Sequence, residues 1–232
     1  MLASALARSR SVPIRLPAVM TFESLAKSPL VFPGLVWLAL PIVLSFALRR
    51  RGFFRGWGVL CGVLIGVDAL VNGALSPFAE GSAWTTFFGV AFVILGDARF
   101  FVACEWDGTS ASIGRGVALA WIVPLGSQLL RAVFPSIAAT PRVTFLAYEL
   151  LFLVVLAIWF IARARRASGA RRPFAARVTR LFAVQYALWA TADVVILWAG
   201  ADVGYALRLV PDMLYYVVFV PYVLLTAPRE ST

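Results

Sequence analysis

Residues 207 to 222 read LRLVPDMLYYVVFVPY, which places the carboxylate of Asp212 inside an apolar run too long for a soluble helix. A charged side chain at bilayer depth costs about 2.5 to 3.5 kcal/mol on insertion scales, so such residues are usually paired, turned inward and functional. An earlier stretch, ILGDARFFV at 94 to 102, repeats the pattern with Asp97 in the place of Asp212. The two stretches indicate a membrane protein whose interior holds two matched acids.

The composition of the chain agrees with a membrane location. Of its 232 residues 62% are hydrophobic and only 14% are charged, and the mean hydropathy is +0.89, outside the range of soluble domains. The apolar runs are continuous and roughly 20 residues long, which favours helices that cross ~30 Å of hydrocarbon over the alternating strands of a barrel. The sequence therefore predicts an all-α integral membrane bundle of seven transmembrane helices. The predicted spans are 29–48, 56–75, 83–104, 112–134, 144–163, 179–200 and 203–226.

The distribution of arginine sets the expected orientation. Arg49, Arg50 and Arg51 lie between spans 1 and 2, and a second arginine cluster lies between spans 5 and 6. Arginine-rich loops stay in the cytoplasm, so the loops that hold Glu80 and Asp202 should lie outside. This predicts an N-terminus outside and a C-terminus in the cytoplasm, in a multi-pass protein of the cell membrane. The bias of the basic residues towards arginine indicates a GC-rich genome, and the expected location is a bacterial inner membrane.

The same arginines account for the formal net charge of +10. In a soluble protein this charge would suggest nucleic acid, but cytoplasmic loops explain it here, so the expected partner is the lipid bilayer and no nucleic acid. The sequence contains no histidine, which excludes a Ser-His nucleophile pair and His-ligated zinc or haem. No metal and no cofactor are expected.

The segment before the first span has two interpretations. Arg8, Arg10 and Arg15, with no acid among them, are typical of a targeting sequence, whereas Met20 opens a stretch of balanced charge that leads into the span. We expect Met20 to be the start of the chain.

An internal repeat relates the two ends of the chain. Spans 2 and 6 match at one constant offset, with Asp68 opposite Asp193, and spans 3 and 7 match with Asp97 opposite Asp212. Because the linker is a single helix, both halves have the same orientation, which is a parallel repeat. The expected divisions are an N-terminal segment 1–28, repeat 29–104, linker helix 105–143, repeat 144–226 and tail 227–232.

This 3+1+3 architecture resembles that of SWEET and PQ-loop transporters and, more distantly, that of seven-helix opsins. The resemblance covers all seven spans and implies a solute site at the interface of the repeats. No lysine lies in any span, so the retinal Schiff base of opsins has no counterpart. Tyr216 occupies the place, one turn after Asp212, at which opsins carry that lysine.

Polar side chains share one helical face with Asp212. Arg208 lies one turn before it, and Tyr215 and Tyr216 lie one turn after it. The functional interpretation is a solute or proton site in which Arg208 keeps Asp212 ionised and the two phenols donate to it. The alternative is a structural ion pair that tethers span 7.

Asp97 has no basic residue one turn away on its helix. Arg99 is only two residues further on, and we expect it to extend towards the cytoplasmic headgroups. Asp97 is therefore a candidate proton carrier.

A second group of charges lies in the outer halves of the spans, near the depth of Arg208. It consists of Asp68, Asp193, Glu149 and Arg131. This outer polar layer indicates an aqueous vestibule, and the alternative is hydrogen bonding between helices.

The GxxxGxxxG run of Gly58, Gly62 and Gly66 permits close helix packing. Packing within the bundle is the favoured interpretation of this run, and a homo-oligomer is the alternative.

Three functions fit these features. The first is a transporter of small-molecule solutes or protons that uses Asp97 and Asp212. The second is an intramembrane hydrolase of lipid-like substrates, in which two aspartates divide the acid and base roles. The third is a receptor-like membrane protein without turnover. The absence of a soluble catalytic domain favours transport.

The orientation is testable with reporter fusions. A reporter placed beside Asp202 should be active outside the cytoplasm and one placed beside Arg171 should be active inside, because arginine-rich loops are retained. The opposite pattern at either position would overturn the topology.

Overall fold

The chain is all-helical over the residues that the computed structural model describes. These residues are 21–26, 28–31, 34–72, 76–79, 81–138, 140–163 and 169–228. No strand occurs within them, which confirms the all-α prediction for this part of the chain. The expected start at Met20, the loop residue Glu80 and the tail residues 229–232 lie outside the described ranges.

Ten α-helices follow one another in these ranges. They are α1 (Phe22–Ala26), α2 (Gly34–Leu48), α3 (Gly52–Asn72), α4 (Ala83–Glu105), α5 (Ser110–Ala120), α6 (Ile122–Val133), α7 (Pro141–Ala162), α8 (Arg171–Ala199), α9 (Val203–Met213) and α10 (Phe219–Thr226). A π-helical turn, Leu214–Val218, joins α9 to α10.

Six helical segments are long and apolar enough to cross a membrane. They are α3, α4, α5 with α6, α7, α8, and α9 with α10. The helix of the first predicted span, α2, has only 15 residues, about 22 Å at 1.5 Å per residue and less than the ~30 Å of hydrocarbon. The described residues thus form a multi-pass helical membrane protein by length and composition, with six helices of spanning length and one shorter apolar helix.

The spans pack in the order of the chain. Each pairs with its sequence neighbour, and the last span returns to α2 through the π-helical turn and α10. The guanidinium of Arg50, just after α2, donates to the carbonyl of Ala227 at 2.6 Å, which joins the two ends of this ring. The repeat of the two halves stays a prediction.

Two glycines of α3 pack against α2 inside the bundle. A Cβ at Gly58 would lie 2.8 Å from the Cβ of Ala47, and one at Gly62 would lie 2.9 Å from Leu44 Cδ2. Both neighbours belong to α2, so these two glycines serve the contact between α2 and α3.

Aromatic packing fills the half of the bundle near the arginine-rich loops. Phe100, Phe101, Phe152, Phe182 and Phe219 are fully buried. The ring of Phe182 lies 4.8 Å from those of both Phe100 and Phe219, between centroids. The carboxyl groups of Asp68, Glu149, Asp193 and Asp212 lie in the other half.

Glu105, at the end of α4, ties four helices together at the arginine-rich side. Its carboxylate accepts from Arg163 at 2.7 Å, from the Trp159 indole at 2.9 Å and from Arg115 at 3.4 Å. Arg171 donates to its backbone carbonyl at 3.1 Å. The sequence analysis did not single out this residue, whose partners come from α5, α7 and α8.

Asp107 lies in the exposed loop between α4 and α5. Hydrogen bonds from Thr109 and Arg115 hold the pKa of its carboxyl well below its usual range. It therefore stays ionised at any ordinary pH.

Gly116 is required for the close contact of α5 with α4. A Cβ there would lie 2.7 Å from both the backbone nitrogen and the Cα of Val102, which cannot move aside. We expect Gly116→Ala to lower the melting temperature in detergent, because overpacking costs about 1 to 3 kcal/mol.

Gly114 provides the matched control on the same helix, since a Cβ at this position meets nothing within 4 Å. Gly114→Ala should leave the melting temperature unchanged or raise it, because alanine favours a helix over glycine by about 1 kcal/mol. Equal effects of the two substitutions would contradict this account of the contact.

Candidate functional site

A cavity of about 360 Å³ lies among α3, α4, α7, α8 and the last span. Ligand pockets typically measure about 300 to 1,000 Å³, so this volume suits a small molecule. Its wall combines three carboxylates and one guanidinium with many aromatic rings. These residues are Asp68, Glu149, Asp212, Arg208, Phe92, Phe145, Tyr148, Tyr186, Trp189, Tyr215 and Tyr216.

Asp212 is half-buried in the wall of the cavity. Its Oδ1 accepts a hydrogen bond from the indole nitrogen of Trp189 at 2.7 Å. The predicted role of Arg208 at Asp212 stays a prediction, and the direct contacts of Arg208 are with other acids, since it donates to Asp193 and lies 3.5 Å from the Oε1 of Glu149. Two acids from neighbouring helices thus compete for the guanidinium that lies one turn before Asp212.

The two phenols do not donate to Asp212 as predicted. Tyr216 donates to Asp68 at 3.1 Å, and the Tyr215 hydroxyl lies 3.5 Å from the carbonyl of Phe92. Both tyrosines belong to the π-helical turn, whose wider winding shifts their positions relative to the preceding turn. The last span therefore presents its polar groups to four neighbouring helices, α3, α4, α7 and α8, instead of along one stripe.

Asp97 is fully buried and has two tyrosine partners. Tyr148 from α7 and Tyr186 from α8 donate to its two carboxylate oxygens. Both tyrosines line the cavity, whereas Asp97 does not. The matched acids of the predicted repeat consequently occupy different environments, with Asp212 on the cavity wall and Asp97 behind it.

Arg99 is buried inside the bundle, so the prediction that it extends to the headgroups is wrong. Its guanidinium carbon lies 4.3 Å from the ring centroid of Tyr215 and 5.6 Å from that of Phe219. Aromatic faces attract a desolvated cation, which offsets part of the cost of burial. Gly96 makes room for Tyr215, since a Cβ there would lie 1.5 Å from the tyrosine oxygen.

Asp193 and Glu149 form an ion-pair group with two arginines. Asp193 is fully buried and accepts from Arg208 and from Arg142, the latter at 3.1 Å. Glu149 is 4% exposed, and its Oε2 has no hydrogen-bond partner within the described structure. This oxygen is therefore a buried hydrogen-bond acceptor on the cavity wall that has no donor within the described structure.

The other members of the outer polar layer divide into two groups. Asp68 belongs to the cavity and accepts from Asn72 at 2.7 Å as well as from Tyr216. Arg131 is exposed on α6 and donates to Gln128 at 3.3 Å, so it does not join the layer. Arg142, near the start of α7, provides the second guanidinium instead.

Acids outnumber bases around the cavity. Five carboxyl groups and three guanidinium groups lie in this region, and an uncompensated charge in a low-dielectric interior costs several kcal/mol. Protons on the carboxyls or a bound cation would restore neutrality. The carboxyl groups are those of Asp68, Asp97, Glu149, Asp193 and Asp212, and the guanidinium groups are those of Arg99, Arg142 and Arg208.

Sequence reasoning missed four residues of this site. Tyr148, Tyr186 and Trp189 lie within their spans, away from the interfaces where such aromatic residues are usual, and this position was a usable signal. Arg142 directly follows the proline at the start of α7, and nothing in the sequence relates it to Asp193.

Comparisons with protein-family models, with curated proteins and with solved structures find no match for this chain. The resemblance to SWEET and PQ-loop transporters stays a prediction.

Tyr186 supports Asp97 with a hydrogen bond that substitution can remove cleanly. Tyr186→Phe keeps the ring, which stacks on Phe152 at 4.0 Å between centroids, but removes the donor. Hydrogen bonds to charged groups contribute about 1.5 to 3 kcal/mol, so the melting temperature should fall. The fall in melting temperature should be smaller in an Asp97→Asn background. A buried neutral amide that keeps only one hydrogen-bond partner costs less free energy than a buried charge in the same position.

Tyr222→Phe is the control, since the hydroxyl of Tyr222 does not contact Asp97. Equal losses from Tyr186→Phe in the parent and in the Asp97→Asn background would show that the two residues are not coupled.

Proposed function

We propose that this protein transports a small solute, that the solute binds in the cavity, and that protons exchange on the carboxyl groups of its wall. The observation that carries the proposal is the buried Oε2 of Glu149, an unpaired acceptor on a cavity of ligand size. A structural ion pair has no need of such a cavity. Buried ionisable residues within spans commonly mark substrate and proton pathways.

The last span supports movement around this site. Pro211 lacks a backbone N–H and removes one helical hydrogen bond, and the π-helical turn begins three residues later. Interrupted spans are typical of transporter binding sites. Arg208, Asp212 and the two tyrosines all belong to this span, so a bend there would move four wall residues together.

The hydrolase hypothesis has less support. Two carboxylates that divide acid and base roles must share access to one water molecule. Both oxygens of Asp97 accept from tyrosines, and Asp97 is not part of the cavity wall. A receptor-like protein would use the same cavity without solute flux, and a flux measurement separates it from a transporter.

The arrangement in the membrane follows the sequence prediction. With the arginine-rich loops in the cytoplasm, the cavity lies in the outer half of a bacterial inner membrane. The apolar half of the bundle, built around Phe182, then forms the barrier on the cytoplasmic side.

Asp212→Asn tests the proposal because it keeps the shape of the side chain and removes its titration. The assay measures protein-dependent pH change inside liposomes after addition of glucose, alanine, acetate or choline. The flux of whichever solute the parent carries should fall at least roughly tenfold, because a wall acid that exchanges protons lowers the transport barrier and a tenfold change in rate corresponds to about 1.4 kcal/mol. The melting temperature should be retained, because an amide is cheaper to bury than a charge.

The matched control is Asp107→Asn, the same chemical change in an exposed loop, which should leave the flux unaltered. Full flux in Asp212→Asn would refute the assigned role of this acid. Binding of a solute without any flux in the parent protein would favour the receptor-like alternative.

A further inference from the structure

We infer that the solute of this cavity is a small organic cation, an amine or a quaternary ammonium compound. The inference rests on the proposed function and names the substrate class of the same site. Three features support it, namely the charge of the wall, the unpaired oxygen of Glu149 and the aromatic rings.

The charge of the wall disfavours an anion. Asp68, Glu149 and Asp212 line the cavity together with a single guanidinium, that of Arg208. This guanidinium already donates to Asp193 and lies beside Glu149. A ligand anion would therefore find no free cation on the described wall and would meet several acids.

Glu149 provides a directed contact for a cation. Only 4% of the Glu149 residue is exposed. Its Oε1 lies 3.5 Å from Arg208, and its Oε2 has no hydrogen-bond partner within the described structure. A buried acceptor without a partner is costly, and an ammonium N–H would satisfy it. A quaternary ammonium group would satisfy it through charge alone.

The aromatic rings define which cations fit. Trp189 lies 5.2 Å from Tyr186 and 5.4 Å from Tyr215, and Tyr215 lies 4.8 Å from Tyr216, between ring centroids. Rings of this kind bind weakly hydrated organic cations through their faces. Arg99 demonstrates the principle, because its guanidinium packs on Tyr215.

A metal ion fits less well than an organic cation. Hard cations need several oxygen ligands that converge on one point. No group of three or more acidic, histidine or cysteine side chains that could hold a metal occurs within the described part of the chain. The three wall acids instead belong to three different spans and have separate partners, including Trp189 for Asp212 and Asn72 for Asp68.

A row of rings leads from the loop before α4 to the cavity. Phe78 stacks near Trp84 at 6.1 Å and near Phe88 at 5.3 Å, and Phe88 lies 6.5 Å from Phe92, all between centroids with interplanar angles below 30°. Phe92 lines the cavity. Such a row offers a cation successive aromatic contacts on its way from the membrane surface.

The test compares cations with neutral molecules of the same shape. Choline is paired with 3,3-dimethylbutan-1-ol, in which carbon replaces nitrogen, and butylammonium is paired with butan-1-ol. Binding to the purified full-length protein is measured by calorimetry and by thermal shift against equal concentrations of potassium chloride. We expect at least one cation to bind roughly tenfold or more tightly than its neutral partner, the ratio expected for a charge that meets carboxylates and aromatic faces.

Variants connect the binding to the cavity. Glu149→Gln should weaken the binding of the cation by at least about tenfold and leave that of its neutral partner unchanged, because it removes only charge. Trp189→Phe, which keeps an aromatic ring, serves as the second variant if Glu149→Gln does not fold. It should weaken the binding of the cation more than the binding of the alcohol. Asp107→Asn should bind like the parent.

The outcomes separate this inference from the proposed function. Preferred binding of the alcohols, of glucose or of acetate would overturn the cation inference and leave a solute transporter in place. Binding of a cation without any flux in liposomes would support the cation inference and contradict the proposal that the protein is a transporter. The inference would be overturned if potassium chloride gave the same thermal shift as the organic cations, or if neither cation bound.

Discussion

The polar half of this bundle depends on one constraint, which is that carboxyl groups inside hydrocarbon must be hydrogen-bonded or paired, mostly by groups from other helices. Each acid meets the constraint differently. Asp97 accepts from two tyrosines, Asp193 pairs with two arginines and Asp68 accepts from an amide and a phenol. Because every partner but one lies on another helix, the same contacts that satisfy the carboxyl groups also fix the spacing of α3, α4, α7, α8 and the last span. The same side-chain contacts therefore determine both the helix packing and the electrostatics of this half.

The other half is organised by a different force. Close aromatic packing around Phe182 and the clustered arginines around Glu105 hold the helices together there. The two halves therefore differ in what fills the space between their helices, with aromatic rings in one and a cavity lined by carboxyl groups in the other.

The sequence predicted the helical class, most of the spans and the acids themselves, because an aspartate in an apolar run is visible without a structure. It did not predict their partners. Tyr148 and Tyr186 lie 51 and 89 residues from Asp97 along the chain, and only the packing of helices brings them together. The assumption of regular α-helical spacing also failed at the π-helical turn, which redirected Tyr216 to Asp68. Arg99 was misplaced because its position near the arginine-rich loops suggested an exposed headgroup contact, whereas stacking on Tyr215 retains it inside.

The contacts between the two ends of the chain have a consequence for biosynthesis. The backbone amides of Phe22 and Glu23 donate to Asp202, at 2.6 and 2.8 Å, and Arg50 donates to Ala227. These partners are 177 to 180 residues apart. At a rate of synthesis of about 5 to 20 residues per second, roughly 10 to 35 s pass between the synthesis of the early segment and that of its partners. During that interval α2 has only α3 as a permanent neighbour on the growing chain. The short α2 must therefore be held in the membrane by this one glycine-lined contact, or by the insertion machinery, until the last span emerges.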